Sequence, residues 1–346
     1  MLEIDGSYGE GGGQILRTAL SLSCLFKKPF RIFNIRKARK KPGLMPQHLT
    51  AVRAAQIISN AKVSGDCSGS TELVFLPQEV KGGDFFFDIG TAGSTSLVLQ
   101  TIIPSLIFSG DKSSIILKGG THVPFSPSFD YIRRVFAPVL KRIGIEIKLA
   151  IESYGFYPKG GGKIIAEIFP PKKIKSLRVV ERGRILKLKG YSGAGNLPLS
   201  IAERQRDSMK EKLRPLAENI KCPVDIETLN VSTPGQGTFV FLQSESENSI
   251  AGFTSLGERG RRAEVVGEQA AEEFLRYYSS NAAFDPHLSD QIVLYLSMCE
   301  EESIFTACCI TEHLMTNLWV ISQFHKFDYT VEGEIGKPGR VNQKKS

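Results

Sequence analysis

The run Asp5-Gly6-Ser7-Tyr8-Gly9-Glu10-Gly11-Gly12-Gly13-Gln14-Ile15-Leu16-Arg17 sets one carboxylate inside a glycine cluster at the mouth of an apolar segment. The glycines tolerate positive φ and let a phosphate or another backbone come close. A helix opening behind them adds unpaired N–H groups that favour an anion. A carboxylate does not bind an anion, so Glu10 reads as a ligand for a metal that accompanies one. The plainer alternative is a tight turn with a solvated carboxylate. Between Lys27 and Lys41 the chain then carries eight basic residues and no acid. Arg36 and Arg39 are guanidinium forks suited to bidentate phosphate contacts. A solvated charge run is the competing reading. Beside a second anion-friendly turn, polyphosphate or nucleic acid is the favoured partner.

Of five histidines, His313 is the candidate nucleophile. It follows the apolar strand Ile304 to Ile310 and stands at the mouth of a helix in Thr311-Glu312-His313-Leu314-Met315-Thr316-Asn317. Imidazole keeps a neutral nitrogen at pH 7 and can attack phosphorus; a capping histidine is the alternative. His48 adjoins Gln47 at another helix start, where both side chains could meet substrate or His48 could simply cap. Asp290 and Gln291 precede the apolar stretch IVLYLSM, and the acid there suits a ribose hydroxyl, a metal or an N-cap. Gln100 interrupts the apolar helix LVLQTIIPSL and requires a partner for its amide. His122, His287 and His325 have no metal-ligand spacing.

The elements that must position these groups follow from periodicity. Leu2 to Ile4 predicts a strand and Ile15 to Leu25 a helix. Alternation from Phe30 to Arg36 predicts a second strand, and a basic loop runs to Gly43. Pro46 opens a helix with Leu49, Val52, Ala55 and Ile58 on one stripe. The strand–turn–helix recurs at 85–108 and at 304–324. A second unit, a helix followed by two strands, follows Pro46 and recurs from Ser126 to Pro170, with 267–280 as its third copy. Each copy is a β-α-β-α-β-β unit, and three around a common axis bring Glu10, the Thr91–Thr95 turn and His313 together. From Ser176 to Arg262 the rhythm changes. A long charged helix, Glu203 to Asn219, sits between strands, and its outer side reads as a solvated face. Arg259, Arg261 and Arg262 add to the basic inventory. The resulting division is a repeat-built body at 1–178 and 275–336, an inserted domain at 179–274 and a basic disordered tail at 337–346.

Composition sets the outer limits. The chain has 346 residues, 41% apolar and 23% charged, with a net charge of +8. That charge suits an acidic partner. No apolar run approaches the roughly 18 residues of a membrane span. The six cysteines show no metal spacing, and a reducing interior is expected. Without a targeting signal, the cytoplasm is the expected location.

Five motifs, GEGGGQILR, IRKARKKPGLMPQHL, GTAGSTSLVLQT, HLSDQIV and EHLMTN, resemble the RNA 3′-terminal phosphate cyclase family across essentially the whole chain. The resemblance implies an α/β fold: three β-α-β-α-β-β repeats around a pseudo-threefold axis, plus an inserted small thioredoxin-like α/β domain. It implies ATP-dependent conversion of an RNA 3′-terminal phosphate to a 2′,3′-cyclic phosphodiester. On this pattern His313 attacks the α-phosphorus of ATP, AMP passes to the RNA 3′-phosphate, and the 2′-hydroxyl displaces it. Glu10 matches the metal-binding glutamate for Mg²⁺ or Mn²⁺. Arg17, Arg36 and Arg39 match arginines that hold phosphates. Gln47 matches an amide near the phosphates and Gln100 a nucleotide contact. His287, Leu288, Ser289, Asp290 and Gln291 match the adenosine pocket opposite Pro127. His287 departs from the pattern, standing where a tyrosine would stack on adenine. Expected partners are ATP, RNA with a 3′-terminal phosphate and a second copy in a homodimer, with no membrane.

Three other readings compete. A non-catalytic ribosome-assembly RNA-binding relative of the same fold would lack the nucleophilic histidine, which His313 supplies. An enolpyruvyl transferase needs about six repeats. A pure RNA-binding module explains the charge but not an acid in a glycine turn beside a nucleophile.

Overall fold

Three four-stranded sheets share one strand order in a computed structural model that describes residues 1–345. The first unit runs β1 (Leu2–Asp5), α1 (Gly13–Phe26), β2 (Phe30–Phe33), α2 (Pro46–Ser59), β3 (Lys62–Ser64) and β4 (Leu73–Leu76), with sheet order β1-β2-β4-β3. β1 and β2 are parallel, and the other pairs are antiparallel. The second unit runs β5 (Asp84–Asp88), α3 (Thr95–Leu106) and β6 (Ser113–Gly119). It continues through α4 (Phe129–Tyr131), a π-helical turn (Ile132–Phe136) and α5 (Ala137–Arg142) to β7 (Glu146–Ser153) and β8 (Gly162–Phe169). Its sheet order, β5-β6-β8-β7, matches the first. Alternation of buried and half-buried residues along Phe30–Phe33 and Gly162–Phe169 is the period of two that such half-covered strands require.

The third unit differs in phase from the sequence expectation. Its first strand is the two-residue β9 (Arg178–Val179), and the inserted layer follows at once. That layer comprises β10 (Ile185–Gly195), α6 (Leu199–Asn219), β11 (Val224–Asn230), β12 (Gly237–Ser246), β13 (Ile250–Leu256) and α7 (Ala263–Ser280). The chain then resumes with α8 (Pro286–Leu296), β14 (Ser303–Ala307), α9 (Glu312–Phe324), β15 (Phe327–Glu332) and β16 (Gly339–Lys345). β9 lies parallel to β14, as β1 does to β2, and the order β9-β14-β16-β15 repeats the pattern. Hence α8 answers to α1 and α3, while α9 answers to α2. The sequence pairs 304–324 with the first strand and helix of the other copies because β9 is too short to show alternation.

Two more expectations are corrected. The helix at 267–280 is part of α7 and packs on α6 and on β12 and β13, in the inserted layer and not in the third copy. Its apolar stripe, with Val266, Ala270, Phe274 and Tyr277, fills the core of that layer together with Leu188, Met209 and Leu242. The segment 337–346 is not a disordered tail over its described part. Gly339–Lys345 is a strand between β14 and β15, with Val341 fully buried; Ser346 lies outside the described residues. Its polar composition masks the alternation, in which Val341 and Gln343 point inward. Gln343 Nε2 donates there to the Val293 carbonyl at 3.0 Å.

One apolar core joins all three units through α1, α3 and α9, with Leu20, Leu99 and Leu318 inside it. The inserted sheet, order β11-β10-β12-β13, closes against the same core. Phe239 and Phe241 face the body's core, whereas Val240 and Leu242 face α6 and α7. Among the described residues no helix is long and apolar enough to cross a membrane.

Candidate active site

The turn before α1 is shaped by its own side chains. Asp5 Oδ1 accepts from Ser7 N at 2.9 Å, Ser7 Oγ at 2.7 Å and Asn34 Nδ2 at 3.2 Å. These bonds hold its carboxyl below the usual range. Gly9 and Gly11 take positive φ, and a Cβ at Gly9 would stand 2.5 Å from Thr316 Oγ1. The turn is thereby pressed onto α9. Glu10 N donates to Thr316 Oγ1 at 3.3 Å, and the Tyr8 ring stacks on Trp319 with centroids 3.9 Å apart. Further along, Gln14 Nε2 reaches the His313 carbonyl at 3.4 Å. Thr18 donates to Asn317 Oδ1 at 2.7 Å, and Asn317 Nδ2 donates to the Asp290 carbonyl at 2.6 Å. One chain of bonds therefore ties α1, α9 and α8.

This assembly floors a cleft of about 1930 Å³ that runs from the glycine turn to the loops of the inserted layer. Glu10, Arg17, Arg36, Arg39 and His313 all line it. Glu10 is ion-paired with Arg39, and its Oε2 lies 3.7 Å from His313 Nδ1. The His313 ring is 46% exposed, enough to meet a ligand. Burial, then the charges of Arg17, His287 and Arg39, keep its pKa below 6.5, so it is neutral at pH 7. Arg17 is itself pushed down to about 10 by burial, opposed by Asp290. Arg36 sits at φ 54° and donates from Nη1 to the carbonyls of Lys41 and Gly43, at 2.8 and 2.9 Å. Its loop is thus wrapped around its own guanidinium.

His48 is buried beneath this group, with Nδ1 accepting from Met45 N at 3.1 Å. Burial, Arg17 and Arg36 push its pKa down to about 3. The neutral ring carries its proton on Nε2, toward Gly13, where a Cβ would come within 2.3 Å. Gln47 Oε1 accepts from Ser94 N at 3.2 Å, bridging α2 to the start of α3. The Thr91–Thr95 turn does not line the cleft; Leu97 and Gln100 of α3 do.

At the other wall Gln100 Nε2 donates to Gln291 Oε1 at 2.7 Å, so two of the expected nucleotide contacts are paired with each other. Pro127, His287, Asp290 and Gln291 line this wall, but Leu288 and Ser289 are fully buried and the structure does not bring them to the cleft. They occupy the inward side of α8, whose outer side is the wall. Asp285, the N-cap of α8, accepts from His287 N, Leu288 N and Tyr131 Oη at 2.9, 3.0 and 2.8 Å. This buried Asp285–Tyr131 pair holds the wall in place and goes unremarked in the sequence reading, although Asp-Pro before an apolar run is a cap signal. Asp290 is buried, and burial together with Asp285 holds its carboxyl well above the usual range despite Arg17. Arg259 and Arg261 line the rim, while Arg262 does not.

Among the described residues no three His, Cys, Asp or Glu side chains cluster as a metal site. Glu10 alone suits an ion whose other ligands come from phosphate and water, the usual habit of Mg²⁺ at polyphosphates.

The family model described as RNA 3′-terminal phosphate cyclase matches residues 8–331. Similar proteins carrying the name RNA 3′-terminal phosphate cyclase occur in Sulfolobus acidocaldarius, at 48% identity over 97% of each chain, and in Saccharolobus solfataricus, at 45% over 99% of each. One from Pyrobaculum aerophilum is 40% identical over 97% of this chain and 96% of its own.

Proposed function

The chain belongs to the RNA 3′-terminal phosphate cyclase family, and on that premise we propose that it converts RNA 3′-terminal phosphates to 2′,3′-cyclic phosphodiesters at the expense of ATP. The observation that carries this reading is a half-exposed, neutral His313 in a cleft with Glu10 and three arginines. With Nδ1 toward Glu10, Nε2 is the attacking nitrogen. It forms a bond to the α-phosphorus of ATP as the bond to pyrophosphate breaks, leaving a histidyl phosphoramidate of AMP. Arg17, Arg36 and Arg39 stabilise the charge that moves onto the departing phosphates. An oxygen of the RNA 3′-phosphate then attacks the same phosphorus, the P–N bond breaks, and His313 is regenerated. Last, the 2′-hydroxyl attacks the terminal RNA phosphorus, releases AMP and closes the ring.

The remaining residues bind and orient. Gln100 and Gln291 turn from each other to the nucleotide, and the adenine lies between Pro127 and His287. Gln47 holds the α3 turn and presents its amide near the phosphates. A Mg²⁺ or Mn²⁺ ion would be held by Glu10, supplying neutralising charge to the triphosphate. Six free thiols among the described residues are in keeping with a reducing cytoplasm.

The test is incubation with α-³²P-labelled ATP and either metal, for wild type and His313→Ala, followed by a denaturing gel. We expect an acid-labile, alkali-stable label on wild type alone, discharged by RNA bearing a 3′-phosphate into cyclic ends. Absence of label from wild type with both metals would overturn the reading and favour a catalytically silent RNA-binding relative.

A further inference from the structure

Two large apolar side chains among those that line the cleft are left exposed in the described structure, and both are aromatic. Phe125 is fully exposed and sits at φ 61°, a conformation that a bulky residue seldom adopts. Tyr157 is 69% exposed. Their segments are clamped side by side. Thr121 N and His122 N both donate to the Gly155 carbonyl, at 2.9 and 3.1 Å, and Gly155 N donates to Thr121 Oγ1 at 3.0 Å. Beneath them His122, Tyr154, Phe156 and Phe239 form a packed aromatic base. His122 lies 4.4 Å from Phe239 and 5.1 Å from Tyr154, centroid to centroid. His122 is further held by Asp130 at 3.1 Å. The segments that carry the two exposed rings are therefore anchored to each other at Thr121, His122 and Gly155.

Charge around them is mixed but net basic. Lys159, Arg259 and Arg261 line the same cleft as the two rings, as do Glu258 and Glu273. Lys159 lies against the β11–β12 loop, its Cβ 3.2 Å from where a Cβ at Gly235 would be. Exposed aromatic faces beside cations are what unpaired nucleic-acid bases and their phosphates need. The wall of Pro127 and His287 is already taken by adenosine in the reading above.

We propose that Phe125 and Tyr157 form a stacking platform for the unpaired bases next to the RNA 3′-phosphate, with Lys159 and Arg259 on the adjoining backbone phosphates. This rests on the proposed cyclase reading and narrows its substrate to single-stranded 3′ ends. A base-paired end cannot present its faces to the two rings.

The experiment measures the affinity of the whole protein for a short, fluorescein-labelled, single-stranded oligoribonucleotide with a 3′-phosphate, together with KM for RNA and for ATP. Phe125→Ala and Tyr157→Ala should each weaken RNA binding and raise its KM by about tenfold, with KM for ATP unmoved. Phe125→Trp and Tyr157→Phe should restore affinity, and the same oligonucleotide in a blunt duplex should bind poorly. Phe86→Ala, on exposed Phe86 of β5 outside the cleft, should change nothing. RNA affinity unchanged in both alanine variants overturns the platform. So does a rise in KM for ATP equal to that for RNA in Phe125→Ala, since it puts the ring on adenosine. Labelling of wild type by ATP alone reports separately on the chemistry. If it fails while the alanine variants lose RNA affinity, the cyclase reading falls and the platform stands.

Discussion

Glu10 and His313 come from opposite ends of the chain and meet with 3.7 Å between Oε2 and Nδ1, while the other carboxylate oxygen is ion-paired with Arg39. The separation is too long for a hydrogen bond, so the carboxylate orients the ring field without capturing its proton. Arg39 decides how negative that neighbour is.

A pH prediction follows from this triangle. Arg39 lowers the His313 pKa by its charge, after burial, Arg17 and His287. Arg39→Ala removes that charge and leaves Glu10 unpaired beside the ring. Both changes raise the pKa toward or past 6.5, so the ring protonates at higher pH. The acid limb of the single-turnover labelling rate should shift upward. A limb that stays put or moves down removes Arg39 from the electrostatics of His313.

His48 supplies a stability test with a definite sign. Folded, its pKa is pushed down to about 3, whereas the unfolded ring titrates near 6.5. The unfolded state therefore takes a proton first as pH falls. Stability from this site is whole above pH 6.5 and drains between 6.5 and 3, by roughly 2 kcal/mol at pH 5. His48→Gln, which keeps an acceptor for Met45 N, should flatten that part of the urea-midpoint profile. Parallel profiles for the two proteins would show that His48 does not carry it.

Gly13→Ala should damage the site more than the fold. The added Cβ would stand 2.3 Å from His48 Nε2 and 2.9 Å from Arg17 Nη1. Overpacking of this kind costs about 1–3 kcal/mol, and Arg17 must leave its place in the cleft. Calorimetry should show ATP affinity falling while the circular dichroism spectrum holds. Unchanged ATP affinity would mean that Arg17 is not needed where it sits.

Deletion of 339–346 distinguishes a strand from a tail. β16 bonds to β14 on one side and β15 on the other, and buries Val341 and Gln343. Its loss strips a sheet of an interior strand and should cost more than about 3 kcal/mol, seen as a collapse of the denaturation midpoint. A dispensable tail would leave the midpoint where it was.

What could be read locally was read because local physics dictates it. A carboxylate among glycines, a basic run free of acids, and Pro46 before an apolar stripe each define a turn or helix start within a few residues. The change of rhythm after Ser176 marked an inserted layer for the same reason. The tertiary structure alone decided which of these turns meet. The third unit runs out of phase because its first strand has two residues and its helix lies beyond the insertion. α7 went to the inserted sheet because that sheet offered its apolar stripe a partner. Gln100 found Gln291, and Leu288 and Ser289 turned inward, because burial is settled by whichever distant face packs against a helix. Periodicity shows that a face exists; only the packed molecule shows what covers it.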